Sequence, residues 1–253
     1  MSSRPSSRHA LLRSLPIFGL TMWAVVPAVT PAFAQILPSG GQIVAGQATI
    51  AGAGTSALTV TQSSAKAIID WQGFSIGETA SVRFRNGRDG ATLNRVTGAD
   101  ASVIDGLLSG EGSVYLINRN GIVVGKTGQI DVGGRFVGST QDLSNDSFLA
   151  GGNLTLSGAS EAAIVNYGKI GSVGGDVALV AARVRNEGQI EAANGAVGLL
   201  AGYQVMLRDK ALEDGKFSVV IGGSATSATN LGAIRAAEAE LRAQGGNVYA
   251  LAG

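Results

Sequence analysis

Asn166-Tyr167-Gly168-Lys169-Ile170 returns twenty residues on as Asn186-Glu187-Gly188-Gln189-Ile190, and again as Asn230-Leu231-Gly232-Ala233-Ile234. A second unit keeps the same step. Gly175-Asp176-Val177-Ala178-Leu179-Val180-Ala181 recurs as Gly195-Ala196-Val197-Gly198-Leu199-Leu200-Ala201, and then as Gly246-Asn247-Val248-Tyr249-Ala250-Leu251-Ala252. A period near twenty, built of short apolar runs and Gly/Asn breaks, predicts a solenoid whose coils stack on one another. Helical repeats need units of ~33 residues or more, and the Leu-x-x-Leu-x-Leu frame of leucine-rich repeats is absent. The chain therefore reads as all-β: a right-handed, single-stranded parallel β-helix with short β excursions. Side chains alternate along a strand, so Val177, Leu179 and Ala181 are expected inside and Asp176, Ala178 and Val180 outside. Val177 then stacks on Val197, and Asn166 and Asn186 form a ladder, at a spacing of ~4.8 Å.

Upstream, Ser113-Val114-Tyr115-Leu116-Ile117-Asn118-Arg119-Asn120-Gly121-Ile122-Val123-Val124-Gly125 reads as strand, sharp turn, strand. Gly121 accepts positive φ without cost, and Asn120 is among the few other residues that can. Shorter alternating runs fill Gln35 to Phe84. Gln141 to Ala150 reads as an excursion around Leu143, Phe148 and Leu149, and Leu207 to Lys216 as a second, polar one. Ala236 to Gln244 alternates strictly enough to favour a strand over a helix. Less these excursions, the length allows on the order of nine coils.

Four ordered blocks resemble the signature of the two-partner-secretion domain, the N-terminal domain of filamentous-haemagglutinin-type exoproteins. They are Ile69-Asp70-Trp71-Gln72-Gly73-Phe74-Ser75-Ile76-Gly77, Leu93-Asn94-Arg95-Val96-Thr97-Gly98, Leu116-Ile117-Asn118-Arg119-Asn120-Gly121-Ile122, and Val132-Gly133-Gly134. The family usually carries proline where Arg119 stands. Proline would pre-set φ in the turn, and its loss leaves the position less rigid without forbidding the turn. A further family element, an Asn-Pro-Asn-Leu box, is not present. The resemblance implies that Asn118, Arg119, Asn120, Gly121 and Ile122 form a turn that also serves transporter recognition, with Trp71, Phe74, Asn94 and Arg95 as signature residues. It implies one main partner, an outer-membrane β-barrel transporter with periplasmic POTRA domains. Host-cell surface or glycan receptors are expected for the full exoprotein, an adhesin first, with cytolysin, haem-acquisition and contact-dependent inhibition proteins in the same family.

Residues 1–34 read as a secretory signal peptide, with Arg4, Arg8 and Arg13 ahead of an apolar core from Leu15 to Val29. Ala32-Phe33-Ala34 is a small-x-small site, placing cleavage between Ala34 and Gln35 and the exported domain at 35–253. Export through the periplasm to the surface or medium of a Gram-negative bacterium follows. Leu251-Ala252-Gly253 falls in mid-repeat with no polar cap, which is expected for the start of a longer exoprotein or else for a truncated product.

Glycine reaches 38 residues with only 5 prolines, a composition for many short strands and tight turns rather than disorder. Removing Arg4, Arg8 and Arg13 from the 19 basic residues leaves 16 against 18 acidic ones, which gives nucleic-acid binding no support. No stable membrane insertion is expected. Cysteine is absent and the one histidine, His9, lies in the signal segment. That removes histidine acid/base catalysis, thiol nucleophiles and the usual zinc and haem ligands from the exported domain, so no cofactor and no enzyme activity are expected. Asp209, Glu213 and Asp214 form the densest carboxylate group, read as a solvated turn rather than a calcium site. Asp70, Asp100, Asp105 and Asp131 are scattered, which leaves a polysaccharide-active β-helix enzyme as the alternative. Arg83, Arg85 and Arg88 form a basic group open to sulfated glycans or to solvent alone.

Overall fold

The computed structural model describes residues 36–212 and 215–251. The expected signal peptide and its Ala34/Gln35 cleavage point lie outside these residues, as do Glu213 and Asp214. The expected β-helix is present. Antiparallel β1 (Gln42–Ala45) and β2 (Ala48–Ala51) precede the first coil. Coil one contains β3 (Ala57–Gln62) and β4 (Lys66–Trp71), with Ile76 bridging to the next coil at its third side. Coil two holds β5 (Ser81–Arg85), β6 (Ala91–Val96) and β7 (Ser102–Ile104). Coil three holds β8 (Leu107–Gly110), β9 (Ser113–Ile117) and β10 (Ile122–Val124).

Coil four starts with β11 (Gln129–Val132) and β12 (Phe136–Ser139). The chain then leaves through β13 (Asp142–Leu143), helix α1 (Asn145–Ala150) and β14 (Leu154–Ser157), and returns as β15 (Ala163–Asn166). Coil five is β16 (Lys169–Ser172), β17 (Val177–Ala181) and β18 (Arg183–Asn186). In coil six β19 (Gln189–Ala201) runs through two sides, the chain leaves again as β20 (Gln204–Leu212) and β21 (Gly215–Ile221), and β22 (Ser227–Asn230) closes the turn. Coil seven is β23 (Ala233–Ala243) and β24 (Asn247–Ala250). Seven coils are thus present among the described residues, fewer than the nine expected, because the leading strands and excursions longer than expected take up the difference.

Coil-to-coil pairing is parallel, and in register apart from one shift between β19 and β23 at Ala192 to Ala196. Val177 pairs with Val197 and Val197 with Ala239, while Ile122 pairs with Ile164 and Ile164 with Val184. The inward columns form one continuous apolar core that includes Ile69, Leu116, Phe136, Leu179 and Leu199. The Asn-x-Gly repeat has a physical reason at the corner. Asn166 Nδ2 donates to Asn186 Oδ1 at 2.7 Å, and Asn186 Nδ2 to Asn230 Oδ1 at 2.7 Å, so the buried amides satisfy one another rung by rung. A Cβ on Gly188 would lie 2.2 Å from the Gly168 carbonyl oxygen, which only glycine avoids.

Asp176, Ala178 and Val180 do point away from the coil interior, yet none reaches solvent: all are 1% exposed or less. The two excursions form a four-stranded antiparallel sheet, β13-β14-β20-β21, that lies over this outer face. Beneath it a second apolar core gathers Ile68, Leu93, Tyr115, Val137, Leu156 and Phe217. The excursion expected at Leu207 to Lys216 is therefore more apolar than its sequence suggests, with Leu207 and Phe217 fully buried. β23 confirms the strand reading of Ala236 to Gln244, although Glu240 is buried under the same sheet.

Candidate functional site

The Asn118-to-Ile122 segment is the corner between β9 and β10. These strands do not pair with each other: β9 joins β6 and β12, while β10 joins β7 and β15. The turn is thus a coil corner and not a hairpin. Asn118 is completely buried. Its Nδ2 donates to the Asp100 carbonyl and to Ser102 Oγ, each at 3.0 Å, tying coil three to coil two. Its Oδ1 accepts the Asn120 backbone N–H at 2.9 Å and Asn120 Nδ2 at 3.2 Å. Asn120 Nδ2 also donates to the Gly98 carbonyl at 2.8 Å.

Gly121 takes φ +113°, as expected, whereas Asn120 keeps negative φ. Asn120 therefore serves the turn through its amide, not through a left-handed backbone. Arg119 is the exposed member of the corner, and its carbonyl accepts from Ser160 Oγ at 2.6 Å. Arg119 also borders a cleft of about 550 Å³ between the corner and the first excursion, walled by Val96, Ile117, Gln141 and Ser160.

The other signature residues occupy two distinct places. Trp71 and Phe74 meet edge to face at 5.5 Å in the inner core. Trp71 Nε1 donates to Asn94 Oδ1 at 3.0 Å, and Asn94 Nδ2 donates to the Tyr115 carbonyl at 3.2 Å, so a buried amide links coils one, two and three. Arg95 points the opposite way, donating to the Leu143 carbonyl at 2.7 Å and to Asp142 Oδ1 at 2.9 Å, which fastens the first excursion. Trp71, Phe74 and Asn94 are thus buried, whereas Arg95 lines the same cleft as Arg119. Asp70 pairs with Arg95 at 3.4 Å, while Arg83, Arg85 and Arg88 are exposed beside exposed Asp89.

Sequence reasoning missed Ser102 and Ser160, which hold the corner from the coils on either side. The only sequence signal for either is its position about one coil away. Asp176 was also missed as a keystone. Burial by itself would raise its pKa, but the Ala196 N–H, Lys216 and Arg135 outweigh burial and hold it below the usual carboxylate range.

The family model described as "TPS secretion domain" matches residues 34–252. A Heme/hemopexin-binding protein of Haemophilus influenzae is 33% identical over 245 residues, covering 92% of this chain and 26% of that protein. A second protein of the same name from that organism is 38% identical over 121 residues, covering 47% of this chain and 12% of its own. The chain thus spans about a quarter or less of the length of these relatives. Among solved structures, the HMW1 secretion domain of Haemophilus influenzae superposes with a TM-score of 0.65 at 32% identity, over 84% of this chain and 55% of that one. A filamentous hemagglutinin secretion domain shares the fold, with a TM-score of 0.53 at 14% identity over 86% of this chain and 99% of that one. A family match over residues 34–252, on a parallel β-helix, shows that this chain belongs to the two-partner-secretion (TPS) secretion-domain family.

Proposed function

We propose that the Asn118-to-Ile122 corner works at two stages of export. In the unfolded chain it is read by the periplasmic POTRA domains of the cognate outer-membrane transporter that a TPS domain implies. Once outside, it becomes the coil corner described above. The observation that carries this reading is the complete enclosure of Asn118, whose Nδ2 and Oδ1 are occupied by Asp100, Ser102 and Asn120. A partner can read those amide groups only before the coil closes, so recognition precedes folding.

Residues 1–34 act in this scheme as the signal peptide that delivers the chain to the periplasm. Folding outside needs no nucleotide. Each new coil buries aliphatic side chains at ~25 cal/mol per Å² and satisfies its backbone by pairing with the previous coil. No catalytic step is proposed for the domain.

Asn118→Ala and Asn120→Ala test the reading. We expect both variants to be degraded in the periplasm, while the same polypeptides, purified and refolded from urea, still give β-rich circular dichroism. Secretion at the wild-type level would leave the corner with a folding role alone. For the exoprotein that such a domain leads we propose surface adhesion, since repetition rather than chemistry dominates the chain. A second reading, haem or hemopexin binding, is favoured by the names of the two curated relatives. Haem titration of the full exoprotein separates them.

A further inference from the structure

The two excursions leave the coils at equivalent points, after β12 in coil four and after β19 in coil six, and in the outer sheet they meet along one seam. β14 pairs antiparallel with β20, placing Leu154 opposite Leu207 and Leu156 opposite Val205. The first excursion reaches back towards the start of the chain. Lys66 of coil one donates to the Phe148 and Leu149 carbonyls at 2.7 and 2.9 Å, at the C-terminal end of α1, and lies 5.6 Å from the Phe148 ring centre. Arg95 of coil two holds Leu143 and Asp142, and Tyr115 of coil three meets Phe148 edge to face at 5.2 Å.

The second excursion fastens the later coils. Lys216 Nζ pairs with buried Asp176 of coil five at 2.9 Å, and its backbone N–H donates to Glu240 of coil seven at 2.7 Å. Phe217 lies over Gly198 of coil six, where a Cβ would sit 2.7 Å from the ring edge. The coil surface is thus hollowed to receive that ring.

We infer that the outer sheet is a two-part clasp that joins coils one to seven into a single cooperative unit, and that it closes only when coil six is in place. In a plain solenoid each coil is stabilised by its neighbours alone. Here coil one is connected to coil seven through α1, β14, β20 and β21 in succession. Until β20 arrives, β14 has an unpaired edge and the outer apolar stripe of the first coils is half covered. For a chain that emerges N-terminus first, this delays the final lock until most of the domain is outside. That export consequence rests on the secretion reading; the clasp itself does not.

Hydrogen–deuterium exchange on the purified full chain tests the inference, with export playing no part in the readout. Gly198→Val adds a β-branched residue to a strand, which on an ordinary open sheet face is neutral or favourable; here it displaces Phe217. Lys216→Met removes the charge while keeping the length, and serves if Gly198→Val does not yield folded protein. Both are expected to speed exchange about tenfold in β4 and β6, in the first two coils, as well as near the substitution. Arg95→Gln, from the other half, is expected to do the same to β20 and β21. Acceleration confined to the substituted half, with the distant strands unchanged, would overturn the clasp.

Discussion

Strand β17 carries two cores, and the difference between its faces explains most of what this molecule is. Inward, Val177, Leu179 and Ala181 stack on residues twenty positions away, each coil repeating the last. Outward, Ala178 and Val180 are covered by strands that the repeat does not contain. The inner core is the product of a period, and its stability is shared between neighbours. The outer core is assembled once, by two insertions that must find each other. A repeat can specify the first with local information, whereas the second depends on a long-range encounter, for which loop-closure entropy must be overcome.

The sharpest test of that comparison sets one leucine against another. Leu179 in the inner core and Leu156 in the outer sheet are both 1% exposed or less. Truncating either to alanine is expected to cost about 2–5 kcal/mol in urea unfolding, with Leu179→Ala nearer the upper end because its cavity is walled by adjacent coils. A loss below about 1 kcal/mol for Leu156→Ala would reduce the outer sheet to a surface ornament. Next comes the amide ladder. Asn186→Leu leaves Asn166 Nδ2 and Asn230 Oδ1 without their ladder partners, for an expected loss of about 1–3 kcal/mol per unsatisfied group.

A smaller, pH-dependent effect should fall on the outer core. Asp176 faces Arg135, Lys216 and the Ala196 N–H, and its pKa is depressed in the folded chain. Its contribution is complete above the unfolded aspartate value of about 3.9 and is lost as pH falls through the lower folded value. The thermal-stability difference between the wild type and Asp176→Asn should therefore be present at neutral pH and close in acid. A difference that persists unchanged at pH 2 would count against the ion pairs. Smallest of all, Arg83→Ser on the open outer side of coil two should stay within about 0.5 kcal/mol, marking where neither core reaches.

The period near twenty, the Asn ladder and the inward columns were legible because each depends on spacing along the chain, and Val177 on Val197 needed nothing more. The corner was legible as a turn through Gly121. The way Asn118 and Asn120 build it was not, because their partners Asp100, Ser102 and Gly98 come from the preceding coil. Ala178 and Val180 were placed on the outer face, but alternation says which face a side chain takes and cannot say what lies over that face. The burial of Asp176 was hidden for the same reason. Both excursions were visible as breaks in the repeat, but nothing in Leu154 or Leu207 taken separately announces that they pair.

The amino-acid sequence determined the coil: short β-branched runs with Gly/Asn corners at a fixed step can bury their apolar face only by stacking, and stacking in register follows from the step itself. Tertiary structure alone decided the second layer, the enclosure of Asn118 and the burial of Asp176. Each depends on segments distant along the chain meeting in space, and composition and periodicity carry no record of that meeting.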